Sequence, residues 1–173
     1  MELFRDVLLI MLPALMTGTA VFFIIRHYNL LDKQKYEREN LAERMRLVTP
    51  VRLQAYERMV LLLERMMPSQ LIMRNVLPGT TASELQNSLV SNIRQEFDHN
   101  LSQQLYISSN AWSLIKNARE SVISEINSAA EKLEQGATAT DLAQLLFQAE
   151  MMNENSSLNK ALEFLKTEAR QLF

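Results

Sequence analysis

Residues 81–105 read TASELQNSLVSNIRQEFDHNLSQQL, and the spacing within this stretch decides the fold class. Thr81 and Glu84 stand at the capping-box separation, where a hydroxyl and a carboxylate each satisfy the other's free backbone amide at a helix start. From there Leu85, Leu89, Ile93, Phe97, Leu101 and Leu105 recur at every fourth position. At about 100° per residue, a four-residue repeat drifts about 40° per step around a helix. That favours inclined packing between ridges four apart. No alternating strand pattern of useful length competes with it, so the chain is expected to be all-α, a small helical bundle.

Working outward, backbone punctuation is sparse. Beyond residue 25 the only prolines are Pro50, Pro68 and Pro78, and the only glycines are Gly79 and Gly136. Thr49-Pro50 has the form of an N-cap followed by proline at the first helical position, and predicts a helix from Pro50 to about Met67. Pro68 interrupts it, and a short piece reaches Leu77. Ser108, Ser109 and Asn110 favour caps over helix interiors and predict a break there. The next apolar face is Trp112, Ile115, Val122, Ile126, Ala129 and Leu133, closed by Gly136. Thr138 or Thr140 then caps a helix through Leu142, Leu145, Leu146, Ala149 and Met152. A last helix is built on Leu158, Leu162, Leu165 and Ala169.

At the N-terminus, Val7 to Ile25 (VLLIMLPALMTGTAVFFII) holds nineteen consecutive positions without a charge. As a helix it spans roughly 28 Å, against about 30 Å of bilayer hydrocarbon. A cleaved signal peptide is the rival, but its n-region should be positive, whereas Glu2, Arg5 and Asp6 nearly cancel. One Lys or Arg precedes the run, while Arg26, Lys33, Lys35 and Arg38 follow it closely, so the rest of the chain is expected on the cytoplasmic side of the inner membrane, with the N-terminus outside. The expected organisation is 1–25 tail and transmembrane helix, 26–49 charged stalk helix and 50–173 cytoplasmic bundle. Ala14 and Gly18 form one small-xxx-small pair that would let two membrane helices approach closely, though small residues are common in any such helix. Pro13 would kink the same stretch.

The tripeptide Glu-Arg-Met occurs at 43–45, 57–59 and 64–66, in one heptad register, and Met73 extends the series. The coiled-coil seam this suggests is broken by Arg52, Ser69, Pro50 and Pro68. A methionine stripe at helical spacing is ordinarily core. The sharper alternative is a binding module in which flexible thioethers, Met59, Met66 and Met73 among them, form a groove that captures apolar helices. Asn100 and Gln104 fall within or beside the Phe97–Leu101 sector; if buried they need partners, and Arg58 is the candidate to complete a polar layer between helices.

Chemistry-bearing patterns are few. The 173-residue chain has no cysteine and a formal charge of −2. That removes thiolate chemistry, disulfides and Cys-based metal sites, and gives no basic footprint for nucleic acid. Glu96-Phe-Asp-His99 has the Glu-x-x-His spacing of di-iron bundles, but such a site needs two pairs, and the only other histidine is His27. A metal enzyme assembled from two chains is the remote option. Catalytic, cofactor and metal residues are accordingly expected to be none, and the protein not an enzyme.

Two stretches, RLQAYERMVLLLERMMPSQLIMR (52–74) and QEFDHNLSQQLYIS (95–108), together with the N-terminal run, resemble an uncharacterised family of bacterial single-pass membrane proteins. The resemblance implies a bacterial membrane protein and carries no activity. The expected function is a non-enzymatic scaffold or accessory subunit. Its expected partners are the lipid bilayer and another membrane-associated protein or a second copy, with no nucleic acid and no small-molecule substrate.

Overall fold

The computed structural model describes residues 2–153 and 155–171, and the side chains of these except 2–10, 12–14, 17, 20, 29–34, 37, 38, 40–42 and 44. Among the described residues every named element is a helix: α1 (Glu2–Arg65), α2 (Pro68–Asn75), α3 (Ala82–His99), a 3-10 segment (Leu101–Leu105), α4 (Ser109–Glu131), α5 (Ala139–Met152) and α6 (Ser157–Gln171). The chain divides into two compact units, Met1–Val48 and Thr49–Phe173.

The first unit is the leading part of α1. Thr19 returns its hydroxyl to the carbonyls of Leu15 and Met16 at 3.0 and 2.9 Å, so its one polar group stays satisfied on the helix itself. Among the described residues no helix is long and apolar enough to cross a membrane. Of the run from Val7 to Ile25, however, the side chains of 7–10, 12–14, 17 and 20 lie outside those described. The expected Ala14 contact falls there too. Gly18 has nothing within 4 Å of the place a Cβ would take, so within this chain it makes no close approach.

The second unit is the bundle. Its core takes Ala55, Tyr56, Met59, Leu62 and Leu63 from α1 and Met66 just past its end, one face at steps of three and four. Helix α4 packs on α6, α3 and α5, and α2 lies against α5 and α3. Leu85, Leu89, Ile93 and Phe97 of α3 are buried as the four-residue stripe requires. A fully buried Leu or Met contributes about 1.5–3 kcal/mol over an exposed one, so this continuous core is what holds the helices together.

The expected capping box forms, and a second one stands beside it. Thr81 accepts from Glu84 N at 3.2 Å and donates its own N–H to Glu84 Oε2 at 2.8 Å. Thr138, not Thr140, does the same with Asp141 at 3.4 and 2.8 Å. The two starts are copies of one motif, Gly79-Thr-Thr-Ala-Ser-Glu-Leu85 and Gly136-Ala-Thr-Ala-Thr-Asp-Leu142. Each glycine takes a positive φ, 82° and 93°, that a side chain would resist. The loops pair antiparallel, with Ala82 N donating to Ala137 O and Ala139 N to Thr80 O, both at 3.0 Å. The N-termini of α3 and α5 are thereby fixed side by side.

Two expectations are corrected here. No new helix begins at Pro50, because α1 runs through it. Proline in a helix removes one hydrogen bond and crowds one carbonyl, about 3 kcal/mol, and the buried face from Ala55 to Met66 holds the turns that follow. The four-residue stripe also stops early: α3 ends at His99, the chain tightens into the 3-10 segment, and Leu101 and Leu105 are exposed.

Candidate ligand cleft

The residues singled out in the sequence separate in space. Met59 and Met66 are fully buried in the chain's own core, while Met73 is 77% exposed and Met45 is exposed as well. A visiting helix could reach the buried pair only by opening the bundle, so a groove built on Met59, Met66 and Met73 together does not exist in this structure. The expected polar layer is also absent among the described residues. Arg58 and Gln104 are both exposed. Asn100 is buried, but its Nδ2 donates to the Glu96 carbonyl at 2.8 Å, one turn back on its own helix. That local bond competes with helix continuation, and the tighter turn that follows carries Gln104 outward.

A different polar group links α1 to the rest of the bundle. Arg52 Nε donates to the Tyr106 carbonyl at 3.2 Å. Ser108 caps α4 by accepting from Ala111 N at 3.0 Å, and donates to Glu168 Oε2 of α6 at 3.0 Å. Tyr56 is buried between them, its hydroxyl beside Glu168 and Arg52 without meeting either at hydrogen-bond geometry. Burial first, then the Glu168 carboxylate, raises its pKa, and Arg52 pulls the other way.

Glu96, the acidic member of the Glu-x-x-His pattern, is held by arginines. Arg65 approaches it at 3.0 Å and Arg74 at 3.8 Å, and Arg74 also donates to the Arg65 carbonyl at 2.6 Å. The third Glu-Arg-Met repeat thus has two uses: Met66 fills the core, and Arg65 ties the end of α1 to α3. Trp112 stacks on Phe97 with ring centroids 5.1 Å apart, and the Arg119 guanidinium lies 4.1 Å from the centre of the Phe97 ring. These are packing anchors.

The concave feature of the bundle with convergent polar groups is a small cleft of about 50 Å³ that opens to solvent. Its apolar floor is Met67 and Pro68 at the start of α2, Val122 of α4 and Leu158 of α6; its acidic side is Glu125 of α4 and Glu150 of α5. Glu150 is committed, accepting from Ser69 N at 2.9 Å and from Ser69 Oγ at 3.0 Å, which also satisfies an amide at the start of α2. Glu125 has no hydrogen-bond or ion-pair partner among the described residues. Loss of water first, then the Glu150 charge, raises its pKa above the usual carboxylate value. A half-buried carboxylate beside a second one, over an apolar floor, is arranged to receive positive charge and to repel anions.

A model for a family of unknown function, DUF7935, matches residues 2–172. The chain belongs to this family. Its match runs through both units, the charge-free run as well as the bundle. No curated protein and no solved structure matches the chain. Family membership therefore brings no activity to the cleft, whose chemistry must be read from its side chains. Neither Glu125 nor Glu150 stands in a recognisable motif; they lie on different helices and only packing brings them together.

Proposed function

We propose that this protein is a non-enzymatic scaffold or accessory subunit of the bacterial inner membrane, anchored by a single pass with its bundle in the cytoplasm. The observation that carries this reading is the nineteen-residue run without charge from Val7 to Ile25, followed by Arg26, Lys33, Lys35 and Arg38. That length fits the hydrocarbon of a bilayer, and the basic flank fits retention on the cytoplasmic side. The mechanism is tethering: the anchor confines the bundle near the membrane and raises its effective concentration towards partners there. Leu101 and Leu105, freed from the core where α3 ends, give the bundle exposed apolar side chains to offer such a partner.

The test is extraction and accessibility in native membranes. The intact chain should stay with vesicles through alkaline carbonate, resist protease added to whole cells, and leave mild detergent in fixed ratio with another protein. Release by carbonate would overturn the anchor, external digestion of the bundle would overturn the orientation, and purification as a lone monomer would overturn the scaffold.

A further inference from the structure

We propose that the cleft between α2, α4, α5 and α6 is a binding site for an organic cation, an ammonium or guanidinium group on a short aliphatic stem, with Glu125 as its counter-charge. Three features of the cleft converge on that class of ligand. Glu125 is half-buried and has no partner among the described residues, so its charge is uncompensated where water is partly excluded. An unpaired carboxylate in such a place is costly, and a cation arriving there offsets the cost that the fold alone leaves standing. Glu150 cannot supply that compensation, being itself negative, and both its oxygens are engaged by Ser69.

The second feature is the floor. Met67, Pro68, Val122 and Leu158 form an apolar surface under the carboxylates, which suits methylene groups and offers nothing to a hydrated metal ion. The third is the rim, where Ser121 and Asn153 carry oxygens able to accept from the remaining N–H groups of an ammonium or guanidinium. The raised pKa of Glu125 agrees with this geometry, since the same desolvation and the same neighbouring charge would be relieved by a bound cation.

Such a group reaches the cleft either as a free small amine or as a lysine or arginine side chain of another polypeptide. The second source deepens the scaffold reading and rests on it; the first is independent of it. The full chain in detergent micelles is titrated with butylammonium, butylguanidinium and, as the neutral control, butanol, and then with a short peptide carrying one arginine between apolar residues. Amide resonances are followed by NMR.

The cations should give saturable shifts at Ser121, Glu125, Glu150 and Asn153, and butanol none. Glu125→Gln, which removes charge but no hydrogen bond, should weaken binding at least tenfold, and Ser121→Leu, which narrows the rim without touching either carboxylate, should weaken it as well. Peptide binding at least tenfold tighter than butylguanidinium assigns the site to a partner's side chain; equal or weaker binding assigns it to a free amine. The proposal is overturned if neither cation saturates, if butanol matches them, if Glu125→Gln or Ser121→Leu binds like the parent chain, or if calcium produces the same shifts at lower concentration. Because the titration is run in micelles, its failure leaves the anchor untouched, and failure of carbonate resistance leaves the titration untouched.

Discussion

Replacing the methionines of the heptad series one at a time separates core from groove. Met59 is fully buried and Met73 is 77% exposed, although both occupy the same register. Truncating a buried methionine to alanine removes its transfer energy and leaves a cavity, about 2–5 kcal/mol in all. Met59→Ala should therefore lose that much, and Met66→Ala a similar amount. Met73→Ala should stay within about 0.5 kcal/mol, as for an ordinary surface change. Trp112 is the only tryptophan, and its stack on Phe97 makes its fluorescence a reporter of the bundle alone. In urea, with a slope of about 1–3 kcal/mol per molar, the Met59 and Met66 variants should unfold at a midpoint lower by about 1–2 M. The Met73 midpoint should not move. Comparable losses at Met59 and Met73 would refute the core assignment, and so would a Met59→Ala midpoint equal to that of the parent chain.

Further expectations follow from the caps, the cleft and the proline. Thr81→Ala and Thr138→Ala should each cost about 1 kcal/mol by thermal unfolding. Because their loops are hydrogen-bonded to each other, the double variant should depart from additivity by about 0.5 kcal/mol or more. Glu125 binds its proton more tightly in the fold than in the open chain, so its contribution falls as pH rises from the ordinary carboxylate value through the raised one. Glu125→Gln should accordingly raise the melting temperature at neutral pH, and raise it less in mild acid; a lower melting temperature at pH 7 would contradict that sign. Glu84 and Asp141 behave oppositely. Bonds from Thr81 and Thr138 depress their pKa values, so the caps' contribution is present above the ordinary carboxylate range and is lost as pH falls through the depressed values. Pro50→Ala should stabilise a continuous α1, by up to about 3 kcal/mol, and increase helicity by circular dichroism, whereas loss of helicity would restore a helix start at that proline.

What the sequence made legible was local. The Thr81–Glu84 box, the Ser108 cap and the buried run from Leu85 to Phe97 depend on residues within one or two turns of each other, and their spacing carries the information. Thr138 and Thr140 both have cap chemistry; the tie is broken by Asp141, which is three residues from Thr138 and completes the box. A longer signal is the motif shared by Gly79–Leu85 and Gly136–Leu142, which marks the two helix starts that the fold sets side by side. The misreadings have the opposite character. Leu101 and Leu105 keep the four-residue period, yet one bond from the Asn100 side chain to the Glu96 carbonyl accompanies the change of helix type and turns them outward. Pro50 is compatible with a helix start and with an exposed helix interior, and nothing within a turn of it separates the two.

The cleft could not be read for a further reason. Glu125 sits on the flank of the α4 apolar stripe, about 60° from Val122 at about 100° per residue, where a glutamate is ordinarily a solvated charge. Its character is set by what other helices bring to it: Glu150 carries the repelling charge, the starts of α2 and α6 supply apolar walls, and Ser69 occupies the oxygens that would otherwise be shared. None of these lies within twenty residues of Glu125 except by folding. A carboxylate made functional by remote neighbours should respond to remote substitution. Ser69→Ala releases Glu150 from its side-chain donor while leaving the backbone donor in place, so the Glu150 charge becomes freer to turn into the cleft. In that variant Glu125 should titrate at still higher pH, and the shift should be visible in the side-chain carboxyl resonance. An unchanged titration would mean that desolvation alone sets the Glu125 pKa and that the two carboxylates do not act as a pair.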